Sequence, residues 1–173
     1  MSAFEIARLG VAALLTGVLA WAAYTDVKDR KIRNAAVMLV IGLFVPWAVT
    51  MTSLHLVLLS LAAGLVALAV GVAVYAAGWM GAGDAKLFAA VALFAGWSHL
   101  LELTVLTTLV GGLIAAFSLL TQPKRAWAMI MARGKGDFGR GVPYGVAIAV
   151  AALILVWDPL LHLASPLAFV ARP

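Results

Sequence analysis

Long apolar runs separated by short polar segments dominate the chain. Residues 4–24 form the first apolar run, and a segment with four basic and two acidic residues follows at 26–34. No formally charged residue then occurs from position 35 to position 83. Because a membrane-spanning helix needs about 20 consecutive apolar residues, the first run is long enough for one crossing and the uncharged stretch for two.

The pattern continues along the rest of the chain and predicts about six crossings. In chain order they cover residues 4–24, 36–51, 54–77, two crossings within 85–121 that turn at 96–99, and 142–161. In lipid the backbone must satisfy its own hydrogen bonds, which favours helices. We therefore expect an all-α, polytopic membrane protein with a single domain over residues 1–173. Gly64, Gly71 and Gly78 recur every seven residues and predict a stripe of close packing on the third helix.

The first run can also be interpreted as a secretory signal peptide, because Ala20-Trp21-Ala22 resembles a cleavage site. Against this, Glu5 offsets Arg8 near the N-terminus, and a basic cluster follows the run at once. These features favour a helix that stays in the membrane.

Composition supports a membrane environment and excludes several kinds of chemistry. Hydrophobic residues make up 65% of the chain and charged residues 11%, with a mean hydropathy of +1.11, whereas a soluble domain has about 25% charged residues. Without cysteine, the chain has no disulfide, cysteine-zinc site or thiol nucleophile. His55, His99 and His162 lack ligand spacing, so we expect no metal and no other cofactor. The net charge of +5 comes from basic residues beside the crossings, which indicates contact with membrane lipid and no nucleic acid partner.

Basic residues cluster in two loops and set the expected orientation. Four lie at 28–33 and five at 124–140, after the first and the fifth predicted helix, so both loops lie on one side. By the positive-inside rule that side is the cytoplasm, and both termini then lie outside. The loop after the third helix, which carries Asp84, lies on the same side. Asp26 and Asp84 are therefore expected at the same depth on the cytoplasmic face.

A pair of carboxylates at one membrane depth is suited to the chemistry of an aspartic protease. One carboxylate must be ionised to take a proton from water, and the other must be protonated to polarise the peptide carbonyl. Each aspartate also has a simpler interpretation. Asp84 can cap a helix that begins at Ala85, and Asp26 can be a solvated member of a charged loop. Asp29 is a second candidate for the partner of Asp84, although its basic neighbours explain it adequately.

The residues around Asp84 resemble a known family. Gly81-x-Gly83-Asp84-x-Lys86-Leu87 is similar to the GxGDxKL motif of type IV prepilin peptidases, a class of GxGD intramembrane aspartic proteases.

The second signature of that family is an aspartate followed after six residues by Pro-Asn or Pro-Asp, commonly preceded by Ile or Leu. Asp26, Ile32 and Asn34 match it at the right spacing, with Arg33 in place of the usual proline. The match selects Asp26 over Asp29. Residues 142–149 are also similar to the segment that opens the last helix in the short tight-adherence, or Flp pilus, branch.

The resemblance implies a membrane aspartic endopeptidase of the bacterial inner membrane. It would remove the short basic leader from Flp-type prepilins at the cytoplasmic face. Asp26 and Asp84 would be catalytic, and the supporting residues would be Gly81, Gly83, Lys86, Asn34, Pro143 and Tyr144. Larger members also methylate the new N-terminus and carry an added domain with paired cysteines. This chain has no cysteine and no room for that domain, so we expect no methyltransferase activity.

Alternatives remain open for single residues and for the whole chain. Lys86 can act on Asp84 or hold its loop, and it can equally extend to the lipid headgroups. Pro143 and Tyr144 can shape the site, or be a helix-start proline and an interfacial aromatic. The whole chain can also be interpreted as a preflagellin peptidase, as a small proton- or cation-coupled transporter, or as a membrane scaffold without chemistry.

Overall fold

The structure, a computed structural model, describes residues 3–51, 53–121 and 144–164, with the backbone alone at 119 and 159–164. Every element in these ranges is an α-helix, which confirms the all-α prediction. The helices are α1 (Ala3–Asp29), α2 (Asn34–Val49), α3 (Leu54–Ala76), α4 (Ala82–Thr121) and α5 (Tyr144–Ala164).

The described helices differ in whether they are long enough to cross a membrane. Within the described ranges, α1, α3 and α4 are long and apolar enough to cross a membrane. The helix α2 and the described part of α5 are shorter apolar helices. These helices fit a membrane protein, and the six crossings stay a prediction.

Helix α1 extends further than the apolar pattern predicts. It continues through the charged residues that follow the apolar run as far as Asp29, and Arg30 ends it with a positive φ of 53°. The Arg30 N–H donates to the Asp26 carbonyl at 3.0 Å, which closes the last turn. Asp26 therefore lies in the final turn of a helix, which excludes the simpler interpretation that it is a solvated member of a charged loop.

Helix α4 is broken at Gly96, where the backbone takes φ 67° and ψ −176°. Glycine adopts this conformation without the steric cost that a Cβ would bring. The break lies in the predicted turn at 96–99, although residues 97–99 are themselves helical. Gly111, further along α4, packs against Tyr144 at the start of α5. The second half of α4 therefore returns toward the end of the bundle where its first half begins.

Helix α4 is the central element of the bundle, since α2, α3 and α5 all pack against it. Helix α1 closes the other side by packing against α2 and α5. The largest fully buried side chains come from four of the five helices: Leu15, Leu19, Val40, Leu87, Val91, Leu103 and Ile148.

Two of the three predicted stripe glycines hold α3 close to α4. A Cβ at Gly64 would lie 2.5 Å from Leu93 Cδ2, and one at Gly71 would lie 3.0 Å from the Ala85 Cβ. Small residues are common where membrane helices approach each other closely. Gly78 does not belong to this stripe, because it follows the end of α3 with a φ of +76°.

We expect Gly71→Leu to destabilise the bundle by roughly 1–3 kcal/mol, because the added side chain has to push α3 away from the start of α4. The control is Gly42→Leu, at a helical position where a Cβ would meet no atom within 4 Å. Thermal unfolding in detergent, followed by circular dichroism, measures both. Equal melting temperatures for the two variants would show that the α3–α4 contact is not close-packed.

Candidate active site

Asp26 is a buried carboxylate at the end of an apolar helix. Its side chain is only 6% exposed, and its Oδ2 accepts the Gly145 N–H at 2.8 Å. Gly145 is the second residue of α5, where backbone N–H groups have no acceptor within their own helix. The Val146 amide and the Arg30 guanidinium lie close enough to act on the same carboxylate. Three favourable partners thus surround a group that is shielded from solvent.

The absence of a side chain at Gly145 makes this contact possible. A Cβ there would lie 2.8 Å from Asp26 Oδ2 and 3.0 Å from Asp26 Cγ. It would also lie 3.0 Å from Ile32 Cδ1. A real Cβ essentially never comes as close to another atom as 2.8 Å, and contacts at 3.0 Å are unusually tight, so any larger residue would have to displace Asp26, Ile32 or α5.

Asp84 occupies the first turn of α4 and is half-buried. The helix begins at Ala82, so the expectation that it begins at Ala85 was wrong, and Asp84 is the third helical residue. Its side chain turns back toward Gly81, where a Cβ would lie 2.9 Å from Asp84 Oδ2. A third-position carboxylate that reaches back to the residue before the helix satisfies an otherwise unpaired N–H. Asp84 thus stabilises the first turn of α4, and its carboxyl group lies at the N-terminal end of that helix.

Ile32 connects the surroundings of the two aspartates. A Cβ at Gly83 would lie 3.1 Å from the Ile32 Cβ, and the other end of the Ile32 side chain faces Gly145. The start of α4 and the start of α5 therefore pack against the same residue. The carboxyl groups of Asp26 and Asp84 are close enough for their charges to interact.

Asp29 has different surroundings from Asp26, although both lie in the last turn of α1. Its side chain is exposed, whereas that of Asp26 is buried. Burial therefore distinguishes Asp26, inside the helix bundle, from Asp29, at its surface.

Lys86 and Asn34 contact each other across two helices. Lys86 Nζ donates to Asn34 Oδ1 at 3.5 Å, although the two residues are 52 positions apart. Both side chains are exposed at the ends of their helices. The contact supports the interpretation in which Lys86 holds the start of α4, here against the start of α2.

Tyr144 is the first residue of α5, and Pro143 lies outside the described residues. The Tyr144 ring packs on Gly111, where a Cβ would lie 3.0 Å from Tyr144 Cε1. This contact seats the first turn of α5 on α4, next to the Gly145 N–H that holds Asp26.

Arg33 stands where the resemblance calls for a proline, and its backbone suits one. Arg33 takes φ −72° and ψ 135° immediately before α2, and a proline ring fixes φ near −65°. Arg33 therefore keeps the backbone geometry that a proline would have at this position before α2.

Gly145 is the residue of this site whose role the sequence did not predict. It lies in the segment 142–149 that resembles the start of the last helix, but a glycine two residues after a proline does not by itself indicate contact with a distant carboxylate. In the described part of the chain, no cluster of three or more His, Asp or Glu side chains has the geometry to hold a metal ion.

Comparison with known protein families shows which family the chain belongs to. A model of the type IV leader peptidase family matches residues 13–116, a range that includes both aspartates and the Gly81–Lys86 motif. The chain belongs to the type IV leader peptidase family, which indicates a membrane protease with a protein substrate such as a prepilin. No curated protein and no solved structure gives a significant match.

We expect Arg33→Pro to leave the fold intact and to stabilise it by about 0.4–1 kcal/mol, because proline restricts the unfolded chain in a conformation that the native state already uses. Leu39→Pro places the same residue inside α2 and should cost about 3 kcal/mol or more. Melting temperatures in detergent compare the two. If Arg33→Pro lowers the melting temperature as much as Leu39→Pro does, the backbone at position 33 does not accept a proline.

We expect Gly145→Ala to lower leader-peptide cleavage roughly 100-fold, because small displacements of a reacting group have effects of this size. Gly112→Ala is the control, since a Cβ at Gly112 would meet nothing within 4 Å. Cleavage of a precursor in membranes is followed by gel shift, and the melting temperature of each variant is measured in parallel. Full cleavage by a folded Gly145→Ala protein would show that the close contact between Gly145 and the Asp26 carboxylate is not required for cleavage.

Proposed function

We propose that the chain is an aspartic endopeptidase that removes the short basic leader from Flp-type prepilins, with Asp26 and Asp84 as the catalytic pair. The observation that carries the proposal is the meeting of two carboxyl groups from α1 and α4 at one end of the bundle. Asp26 is buried and Asp84 is half-buried, and the two groups are close enough for their charges to interact. Two carboxyl groups in such a position share protons more readily than they ionise together.

The contacts of Asp26 suit it to the role of general base. It accepts the Gly145 N–H at 2.8 Å and has the Arg30 guanidinium nearby, and both interactions favour the ionised carboxylate. In the proposed mechanism Asp26 takes a proton from water, and the resulting oxygen nucleophile attacks the carbon of the scissile peptide bond.

Asp84 then acts as the protonated partner. Its carboxyl hydrogen bonds to the peptide carbonyl oxygen and stabilises the negative charge that develops there on attack. Collapse of the tetrahedral intermediate breaks the C–N bond, and the proton that Asp26 took from water passes to the leaving amine. The pair returns to its starting state with one carboxyl protonated, so the cycle needs no further reactant.

Orientation and supporting residues complete the proposal. By the positive-inside rule the site faces the cytoplasm of a bacterial inner membrane, and both termini face outward. Gly81 and Gly83 let the Asp84 turn pack closely on its neighbours, and Lys86 and Asn34 hold the starts of α4 and α2 together. Tyr144, with Pro143 before it, seats α5 so that Gly145 reaches Asp26.

Three other functions remain as alternatives. A preflagellin peptidase would use the same pair on a different precursor, so only the substrate distinguishes it. A proton- or cation-coupled transporter would carry its acids near the middle of the membrane, whereas Asp26 and Asp84 lie at helix ends. A scaffold would use Asp84 only to support its helix.

We expect Asp26→Asn and Asp84→Asn each to abolish leader removal. An amide in place of Asp26 cannot take the proton from water, and an amide in place of Asp84 is a much weaker hydrogen-bond donor to the developing oxyanion than a protonated carboxyl group. Asp29→Asn is the matched control in the same turn of α1 and should process the precursor normally. Each variant is co-expressed with a candidate precursor in membranes, and leader removal is measured by gel shift and N-terminal sequencing.

Processing that survives both Asp26→Asn and Asp84→Asn would eliminate the aspartic mechanism. Loss of processing in Asp29→Asn alone would assign the partner of Asp84 to the exposed aspartate instead. A wild-type protein that cuts only a preflagellin would keep the mechanism and change the substrate.

A further inference from the structure

A cavity of about 490 Å³ lies at the end of the bundle opposite the two aspartates. Arg8 lines it near the start of α1, whereas Asp26 lies in the last turn of that helix. At about 1.5 Å per residue, roughly 27 Å of helix separates them. In the proposed orientation this end faces outward. The cavity is therefore separate from the candidate active site, and its volume falls in the range of about 300–1,000 Å³ that is typical of ligand sites.

The break in α4 forms one side of the cavity. Gly96 is non-helical, so a new helix starts after it, and the first N–H groups of a helix have no acceptor within that helix. Trp97, Ser98 and His99, which form this first turn, all line the cavity. Ser60 of α3 faces the break, with its Oγ 3.3 Å from where a Cβ of Gly96 would lie.

Ser60 is a buried polar residue that reaches the cavity without a partner of its own. The residue is only 3% exposed and lines the cavity, and its hydroxyl makes no hydrogen bond to another described residue. A buried hydroxyl is normally hydrogen-bonded. Ser60 therefore has a donor to offer to a molecule in the cavity, on the same side as the first turn that follows Gly96.

Arg8 supplies a positive charge whose position is fixed. Its Nε donates to Thr50 Oγ1 at 3.0 Å and its Nη2 donates to the Thr50 carbonyl at 3.1 Å. The guanidinium also lies over the Trp47 ring, 5.7 Å from its centroid. A guanidinium has five N–H donors, so these contacts leave others for a ligand. A guanidinium and the first N–H groups of a helix are both suited to binding a phosphate.

Two carboxylates, Glu102 and Asp158, line the same cavity. Glu102 Oε2 pairs with His99 Nδ1 at 3.0 Å, and a carboxylate has further acceptor positions beyond one such contact. The two acids repel a ligand that is only negative, and Arg8 repels one that is only positive. A ligand that suits the whole cavity therefore carries a negative and a positive group.

The remaining lining places the cavity at the level of lipid headgroups. Trp47 and Trp97 both line it, and tryptophan is enriched where a membrane meets water. Most of the other lining side chains are apolar: Met51, Leu56, Leu59, Phe94, Leu155 and Val156. Charged groups of both signs beside apolar walls, at this depth, suit an amphiphile from the bilayer better than a ligand from water.

We infer that this cavity binds the headgroup of a zwitterionic phospholipid with a primary ammonium, of the phosphatidylethanolamine class. Arg8, the Ser60 hydroxyl and the first N–H groups after Gly96 bind its phosphate. The ammonium donates to Glu102 and Asp158, and the acyl chains lie along the apolar walls. The bound lipid connects α1, α3, α4 and α5 at the outer end of the bundle. The inference does not depend on the proposed protease function.

The experiment titrates the full-length protein in neutral detergent with one phospholipid at a time and counts bound lipid by native mass spectrometry. We expect one phosphatidylethanolamine per chain, with a Kd about tenfold lower than that of phosphatidylcholine or phosphatidylglycerol. The ammonium of phosphatidylcholine has no N–H to donate, and phosphatidylglycerol has no ammonium. A large excess of inorganic phosphate should not displace the bound lipid, because phosphate lacks the ammonium and the acyl chains.

Charge-removing variants test the residues. Glu102→Gln and Arg8→Gln should each raise the Kd for phosphatidylethanolamine about tenfold. The matched controls are Asp29→Asn and Lys31→Gln, which remove the same charges from exposed residues at the other end of the bundle and should not change it. Melting temperatures without lipid show which variants are folded. Since Arg8 also holds Thr50, Glu102→Gln decides the test if Arg8→Gln does not fold.

Equal affinity for the three lipids would overturn the inference, because it would show only lipid bound around the apolar helices. An unchanged Kd for phosphatidylethanolamine in a folded Glu102→Gln protein would do the same. Complete displacement by inorganic phosphate would assign the cavity to a free anion instead of a lipid headgroup, and would also contradict the inference.

Discussion

A carboxylate that is shielded from water has to be held by hydrogen-bond donors, because burying it without them is costly. Asp26 meets this requirement through the Gly145 N–H at 2.8 Å, and much of the surrounding structure serves that contact. Helix α5 must begin within reach of the end of α1, and its second residue must have no side chain. The packing of Tyr144 on Gly111 fixes where α5 begins. One hydrogen bond thus determines how three helices meet.

Close approach between helices recurs throughout the site and depends on small residues. Gly83 and Gly145 each let a helix start pack against Ile32, and Gly71 brings the end of α3 onto Ala85 beside Asp84. In lipid, where apolar burial gives no net drive for association, such packing and interhelical hydrogen bonds hold helices together. The glycines are therefore part of the reason that two carboxyl groups from distant parts of the sequence come together.

The apolar pattern predicted the helices well, because span length and lipid exposure are local properties of the sequence. It ended the first helix too early, since charged residues such as Lys28 and Asp29 stop an apolar run without stopping a helix. The meeting of Asp26 with Gly145 had no local signal, because 119 positions separate them. The same holds for Lys86 and Asn34. Charge counting placed both aspartates on one side, but only packing shows which donors hold each carboxylate.

The two aspartates approach each other from opposite kinds of helix end, and this difference bears on their roles. Asp26 lies at the C-terminal end of α1, where the helix dipole disfavours a negative charge, whereas Asp84 lies at the favourable N-terminal end of α4. The dipole alone would make Asp84 the ionised member. The first-turn amides of α5 and the Arg30 guanidinium offset this at Asp26, and direct hydrogen bonds exceed the dipole term in strength. Helix α5 therefore does more than pack beside α1, since it supplies the hydrogen-bond donors that favour the ionised form of Asp26.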